Sequence, residues 1–183
     1  MRNMMRVLGV AALTLATVLP IGAARADSAP YCGIRWGSQD KAGGGVENYA
    51  KLTNVRAGRH ACFDRLVLDL NAGQEYYDVG YVDQVRQPEG GPVVPLRGGA
   101  RLVIFAQIHY SYPPPVVYRP ANTAELVDVA GWRTFRQVAL AYQFEYGTGI
   151  GLGVRARLPY RVFVLDGSGG GGSRLVIDVA HRW

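Results

Sequence analysis

The sequence predicts an all-β fold, a two-sheet β-sandwich of short, mostly antiparallel strands. Three segments begin with the same Arg-Leu-Val phrase, at residues 65–68, 101–104 and 174–177. Turn residues separate these and other short apolar runs, and the 183 residues include 24 Gly and 10 Pro. No stretch of about twelve residues shows the 3.6-residue periodicity of an amphipathic helix. Extended strands that end at Gly and Pro turns therefore explain the pattern better than helices do.

The first and third of these segments each have one apolar face and one charged face. Apolar residues alternate with Arg, Val and Asp from Arg65 to Leu70, and the same pattern recurs at 174–179. Successive side chains of a strand point to opposite sides of its sheet, so we expect the apolar side in the core. If the two segments pair as antiparallel neighbours, Arg65 opposes Asp178 and Arg174 opposes Asp69. Such exposed pairs would contribute only tenths of a kcal/mol each, but they would fix the register.

The other elements follow from local turn chemistry. Residues 42–45 are predicted to be flexible, and the proline run 113–115 predicts a surface loop or a sheet edge. The glycine-rich residues 147–153 are predicted to interrupt a long strand as a flexible stretch or bulge; flanking strands argue against a phosphate-binding loop. The predicted strands cover residues 33–36, 52–56, 63–70, 76–85, 93–96, 100–108, 132–144, 160–165 and 174–180.

Residues 1–26 are predicted to be a signal peptide. Two arginines precede an apolar run at 7–19, and an Ala-Arg-Ala cleavage pattern ends at residue 26. The run is too short to span a bilayer comfortably, which disfavours the alternative of an uncleaved membrane anchor. We therefore expect a protein exported to the extracellular or cell-envelope space, beginning near Asp27 and without stable membrane insertion after cleavage.

The basic charge gives weak support for a polyanionic partner. The formal net charge is +6, and removal of the three arginines of the predicted signal peptide leaves about +3. No run of Lys or Arg is typical of a nucleic-acid-binding arm. We therefore expect no nucleic-acid partner.

Cys32 and Cys62 are expected to form a disulfide, because an exported protein with two cysteines usually pairs them. Closing a loop of about thirty residues would contribute roughly 3.5–4 kcal/mol in the chain-entropy treatment, an upper-end figure. A reactive thiol at Cys62 beside His60 is the alternative, but an exported thiol tends to oxidise. The disulfide would tie a loop-rich segment, residues 27–54, to a domain at 55–183.

Two parts of the chain resemble a known family. Arg56 and His60 precede a Phe-Asp-Arg triplet that opens the apolar segment at 63–70, and a closing hairpin is expected within 160–179. This pattern resembles the AMIN-like domain of secreted actinobacterial proteins, related to the AMIN domain of cell-wall amidases, over residues 55–180. The resemblance implies a β-sandwich that acts as a targeting module and binds the cell wall.

The functional expectation is an exported, non-catalytic cell-envelope binding module that recognises peptidoglycan or another wall polymer. The main alternative is a protein–protein module of the envelope that uses the proline-rich loop or a sheet edge. A secreted hydrolase is the third possibility, although the widely separated His60, His109 and His181 give poor support to a zinc site. We therefore expect no enzymatic activity, no metal and no cofactor.

The densest polar cluster is the first candidate ligand-binding site. It consists of Arg56, Arg59, His60, Asp64 and Arg65. In the functional interpretation Asp64 orients His60, and the arginines contact carboxylates of a wall peptide. In the structural interpretation Asp64 and Arg65 satisfy loop backbone and neighbouring strands.

His109, Tyr110 and Tyr112 form the second candidate site, immediately before the prolines. Aromatic rings at a loop tip can stack on sugars or on prolines, and they can equally pack at a sheet edge. Both interpretations remain open from the sequence.

Overall fold

The computed structural model describes residues 30–45, 49–74, 76–109, 118–144, 147–167 and 171–183. The described residues form one 3₁₀ turn, Tyr31–Gly33, and nine strands. The strands are β1 (Lys41–Gly44), β2 (Leu52–Arg59), β3 (Phe63–Leu70), β4 (Tyr76–Val82), β5 (Ala100–Ala106), β6 (Phe135–Phe144), β7 (Gly147–Val154), β8 (Tyr160–Asp166) and β9 (Ser173–Ala180).

The strands form two sheets that pack face to face. One sheet has five strands in the order β1-β4-β5-β7-β6, and the other has four in the order β2-β3-β9-β8. Every pairing between these strands is antiparallel. The predicted two-sheet sandwich is therefore confirmed. The predicted signal peptide lies outside the described residues and remains a prediction; in the described part of the chain, no helix is long and apolar enough to cross a membrane.

The three Arg-led segments form β3, β5 and β9, and each contributes its alternate apolar side chains to the core. β3 and β9 lie side by side in the four-stranded sheet, whereas β5 lies at the centre of the other sheet. The predicted burial of one face is confirmed because the core is made where these faces meet. Its fully buried members include Leu66, Leu68, Leu102, Ile104, Ile150, Leu152, Leu175 and Ile177.

The predicted register of β3 against β9 is also confirmed. Arg65 opposes Asp178, and Asp69 opposes Arg174. The expected exposure is wrong for the first pair, because the Asp178 side chain is fully buried and binds the guanidinium groups of both Arg65 and Arg161. Asp69 forms an ion pair with Arg56 of β2, in which Nε of the arginine lies 2.8 Å from Oδ2 of the aspartate.

Two of the predicted short strands are wrong. Residues 33–36 do not form a strand, since a 3₁₀ turn ends at Gly33 and only an isolated bridge from Gly37 to Tyr160 follows. Residues 93–96 make only one isolated bridge, between Arg86 and Val93. The segment instead covers the outer face of the five-stranded sheet, where Leu96 packs in a small second cluster.

The first glycine-rich stretch was predicted to be flexible, yet it contains strand β1. Lys41–Gly44 pairs with β4 at the edge of the five-stranded sheet. Gly43 lies against the ring of Tyr77, where a Cβ would come within 2.7 Å of Tyr77 Oη. The absence of a side chain therefore allows close packing here instead of providing flexibility.

The prediction for residues 147–153 is wrong for the same reason. Gly147–Val154 is strand β7, which pairs with β5 on one side and β6 on the other, and is buried along its whole length. A Cβ on Gly151 would come within 2.7 Å of Leu96, and one on Gly153 would overlap the carbonyl oxygen of Arg97. The glycines therefore leave room for the covering segment.

The long strand predicted at 132–144 is shorter and does not alternate regularly. It begins at Phe135, and register shifts occur between Phe135 and Gln137 and between Leu140 and Tyr142. A bulge reverses the alternation, so Phe135 and Val138 both reach the core although they lie an odd number of residues apart.

The predicted disulfide between Cys32 and Cys62 is present. It joins the 3₁₀ turn to the loop between β2 and β3.

Replacing both cysteines by serine is expected to lower the free energy of unfolding by about 2–4 kcal/mol, because the cross-link reduces the entropy of the unfolded chain. Urea denaturation of the oxidised protein and the double variant measures the difference. A reducing agent should destabilise the wild type and leave the variant unchanged. Equal stability of the two oxidised proteins would contradict the prediction.

Candidate ligand-binding pocket

A pocket of about 400 Å³ lies at one end of the sandwich, beside the turn from β2 to β3. Arg59 ends β2, and Asp64 is the second residue of β3. The loop before β6 forms the opposite wall. The lining residues are Arg59, His60, Ala61, Asp64, Gly131, Arg133 and His181.

Asp64 connects the two sheets. It lies on the core side of β3 and is only 1% exposed. Its Oδ2 accepts hydrogen bonds from the backbone N–H groups of Thr134, at 2.7 Å, and Phe135, at 3.0 Å. Its Oδ1 is buried and has no hydrogen-bond partner in the described part of the chain. One carboxylate oxygen is thus used to join the sheets, while the other lacks a donor.

His181 lines the same pocket as Asp64. Its Nε2 lies 3.0 Å from the carbonyl oxygen of His60, and its Nδ1 lies 2.9 Å from Oγ1 of Thr134. A carbonyl only accepts hydrogen bonds, so Nε2 carries a proton; in the neutral ring Nδ1 accepts from the threonine hydroxyl. Both ring nitrogens are therefore used in holding the loop after β9 against its neighbours.

Arg59 is held at the mouth of the pocket by an aromatic ring. Its guanidinium carbon lies 5.7 Å from the centroid of Trp132, and that indole stacks on Phe135 with an interplanar angle of 9°. A guanidinium over an indole face is attracted to the ring while it stays hydrated. Arg59 and Arg133 are both exposed, so their donors can reach a ligand.

A second, shallower pocket of about 450 Å³ shares Arg133 and His181 with the first. Arg155 donates a hydrogen bond to the carbonyl oxygen of His181, and the guanidinium of Arg182 lies 4.6 Å from the ring centroid of Tyr31. This end of the sandwich is consequently cationic. Its exposed arginines are Arg59, Arg133, Arg155 and Arg182.

Arg65, another predicted ligand-binding residue, lies on the outer face of the four-stranded sheet. Its Nε and Nη2 bind the two carboxylate oxygens of Asp178 at 2.6 and 2.9 Å, and Arg161 binds Oδ2 of the same carboxylate from β8. The hydrogen bonds to Asp178 raise the pKa of Arg65 above its ordinary value. These contacts favour the structural interpretation of Arg65. Arg56 lies on the same face and pairs with Asp69.

Aromatic rings extend this outer cluster toward the pocket. The Arg65 guanidinium stacks between Phe63 and Phe163, at 5.2 and 5.6 Å from their centroids. His60 stacks on Phe63 with the centroids 4.5 Å apart and an interplanar angle of 21°. The ring of His60 is thus placed by Phe63, whereas Asp64 accepts hydrogen bonds from the amides of Thr134 and Phe135.

The second predicted site lies at the opposite end of the sandwich. His109 is 1% exposed, its ring centroid lies 4.7 Å from that of Tyr49, and its backbone N–H donates to the carbonyl of Ala50. Tyr110 and Tyr112 lie outside the described residues. Of the predicted ligand-binding residues, the structure therefore brings Arg59, His60 and Asp64 together and separates His109 from them.

Sequence reasoning missed four residues of the cationic end: Arg133, Arg155, His181 and Arg182. They come from three separate loops, and no local motif connects them. The described residues contain no group of three or more His, Cys, Asp or Glu side chains that could hold a metal ion.

The described residues thus form a disulfide-linked β-sandwich with a cationic pocket at one end. The AMIN-like domain model matches residues 50–181, and the chain belongs to the AMIN-like family. The resemblance of the closing hairpin and of the Phe-Asp-Arg segment is thus confirmed. A comparison with curated proteins finds no match. Family membership indicates a cell-wall-associated binding module of a generally non-catalytic kind, and the disulfide fits an extracellular or envelope location.

Proposed function

We propose that this protein is an exported, non-catalytic module that binds peptidoglycan, and that the pocket between Arg59 and Arg133 holds carboxylates of the wall peptides. The observation that carries this proposal is that two exposed arginines, Arg59 and Arg133, line one pocket. The alternative partner, an envelope protein, would use the proline-rich loop, which lies outside the described residues, or a sheet edge.

Carboxylates suit this pocket for chemical reasons. A guanidinium presents a planar set of donors that matches the two oxygens of a carboxylate, and such charge-assisted hydrogen bonds are stronger than neutral ones. Arg59 is oriented by Trp132, so less conformational entropy is lost when it binds. The pocket volume of about 400 Å³ is at the small end of ligand sites and fits one peptide residue better than a folded protein surface. A polymer that repeats the same peptide can bind tightly through many weak contacts.

The double variant Arg59→Gln/Arg133→Gln is expected to bind purified insoluble cell walls at least about tenfold more weakly than the wild type, since each charge-assisted hydrogen bond contributes about 1.5–3 kcal/mol. Co-sedimentation over a range of wall concentrations measures the loss. Added salt should also weaken wild-type binding because it screens exposed charges.

The matched control is Arg86→Gln/Arg174→Gln, which removes the same charge away from the pocket. Equal losses in the two double variants would show that only net charge matters and would contradict the proposed pocket. Tight binding to a single envelope protein with none to cell walls would favour the alternative partner.

A further inference from the structure

The buried carboxylate of Asp64 is only half satisfied. Oδ2 accepts from the amides of Thr134 and Phe135, whereas Oδ1 is buried and has no partner in the described part of the chain. Leaving a buried polar atom unpaired costs on the order of 1–3 kcal/mol, and more for a charged group. Native proteins therefore rarely leave such an atom without a donor.

The neighbouring side chains do not supply that donor. Both nitrogens of the His181 ring are already engaged, with the His60 carbonyl and the Thr134 hydroxyl. The Arg59 guanidinium lies over Trp132. Asp64 nevertheless lines the same pocket as Arg59 and Arg133, so an occupant of this pocket can provide the missing hydrogen bond once the buried Oδ1 turns toward it.

The mixed charge of the lining restricts what that occupant is. A plain carboxylate would bind the arginines but would be repelled by Asp64, because like charges at short distance are unfavourable. A plain ammonium would satisfy Asp64 but would face two guanidinium groups. A carbon that carries both an ammonium and a carboxylate meets both requirements, with its donor directed at Oδ1 and its acceptors at Arg59 and Arg133.

We infer that this pocket binds a zwitterionic amino-acid group, the unblocked end of a wall peptide at which a free ammonium and a free carboxylate share one carbon. The ammonium donates to Oδ1 of Asp64, and the carboxylate accepts from Arg59 and Arg133. The inference deepens the proposed function and depends on it for the identity of the polymer.

Three small probes separate the two charges. D-Alanine carries both, N-acetyl-D-alanine keeps only the carboxylate, and D-alaninamide keeps only the ammonium. Titrations of the wild-type protein are followed through the ¹H–¹⁵N signals of Thr134 and Phe135, whose amides bind Asp64, with Gln107 at the opposite end as the reference. We expect saturable shifts with D-alanine, a Kd at least about tenfold lower than for either other probe, and no shift at Gln107.

Each other outcome overturns the inference. If N-acetyl-D-alanine binds as tightly as D-alanine, the pocket is a simple carboxylate site and water satisfies Asp64. If none of the probes shifts the two amides, the pocket does not take this group. The proposed function is tested separately by sedimentation with cell walls, so wall binding without probe discrimination removes only the inference, and probe discrimination without wall binding removes only the proposed polymer.

Two variants and one control test which side chain binds the carboxylate and which binds the ammonium of the ligand. Arg133→Gln is expected to weaken D-alanine binding at least about tenfold, and Arg86→Gln, remote from the pocket, should leave it unchanged. Asp64→Asn keeps a carbonyl acceptor for the two amides but loses the negative charge, and it should remove the preference for D-alanine over N-acetyl-D-alanine. If Asp64→Asn does not fold, as thermal unfolding would show, the probe comparison on the wild type still decides.

Discussion

Replacing Asp178 by alanine is expected to lower the free energy of unfolding by about 3 kcal/mol. The Asp178 side chain is fully buried and binds both Arg65 and Arg161, whose side chains are 25% and 32% exposed. Removing one partner of a buried ion pair leaves the other charge uncompensated, at a typical cost of about 3–5 kcal/mol. We place the value at the low end because both arginines retain access to water. Urea denaturation with a check of the m-value measures it.

Asp69→Ala provides the matched control in the same sheet. Asp69 also pairs with an arginine, Arg56, but that arginine is 50% exposed and the aspartate is 24% exposed. Exposed pairs contribute about 0–1 kcal/mol, so we expect a loss below about 1 kcal/mol. Equal losses for Asp178→Ala and Asp69→Ala would show that burial of Asp178 does not increase the stabilisation by its partners.

Gly153→Ala is expected to lower the free energy of unfolding by about 2–3 kcal/mol. Gly153 is buried in strand β7, which lies between β5 and β6, and an added Cβ would overlap the carbonyl oxygen of Arg97 in the covering segment. Backbone cannot rotate away as a flexible side chain can, so either the segment shifts or the strand bends, at the usual cost of an overpacked core. Urea denaturation again gives the value, and loss of the Leu96 contacts with β7 should appear in the methyl NMR signals.

Gly58→Ala is the control for this prediction, because Gly58 is also in a strand. A Cβ there would meet its nearest heavy atom, Nε2 of His60, at 3.7 Å, which is an ordinary contact. Alanine is favoured over glycine in a strand by about 0.5–1 kcal/mol, so stability should stay the same or rise slightly. A destabilisation of Gly58→Ala as large as that of Gly153→Ala would contradict the packing explanation.

The two stability predictions concern residues whose surroundings in the structure differ from those predicted from the sequence. The Arg65–Asp178 pair was predicted in the correct register and then assigned the energy of an exposed pair. Strand alternation places Asp178 on the outer side of the sheet. Without knowledge of what covers that side, its side chains are expected to be exposed to solvent. The aromatic rings of Phe63 and Phe163, with the arginines stacked on them, cover that side, and this covering depends on residues of β3 and β8 that are far apart in the chain.

The first candidate site was only partly predictable. Arg59, His60 and Asp64 are close in sequence, and the turn between β2 and β3 brings them to one end of the sandwich. Arg133, Arg155 and His181 belong to loops whose positions depend on how the two sheets pack, so no short motif could reveal them. The aromatic neighbours of His109 made it a plausible ligand residue. However, β5 leads from the end that holds the pocket to the opposite end, and His109 follows β5 there and is buried.

The sequence by itself determined the β-class, the disulfide, the apolar faces of β3, β5 and β9, and the register of β3 against β9. Each of these follows from a two-residue alternation or from residue types that are adjacent along the chain. Such local patterns do not depend on how distant segments pack. Only the tertiary structure decided that the glycines of β7 form a buried strand inside the sheet, that Asp178 is fully enclosed, and that Arg133 joins Arg59 beside the Asp64 pocket. These features depend on contacts between the sheets and on side chains that cover one another, and neither is encoded by spacing along a single strand.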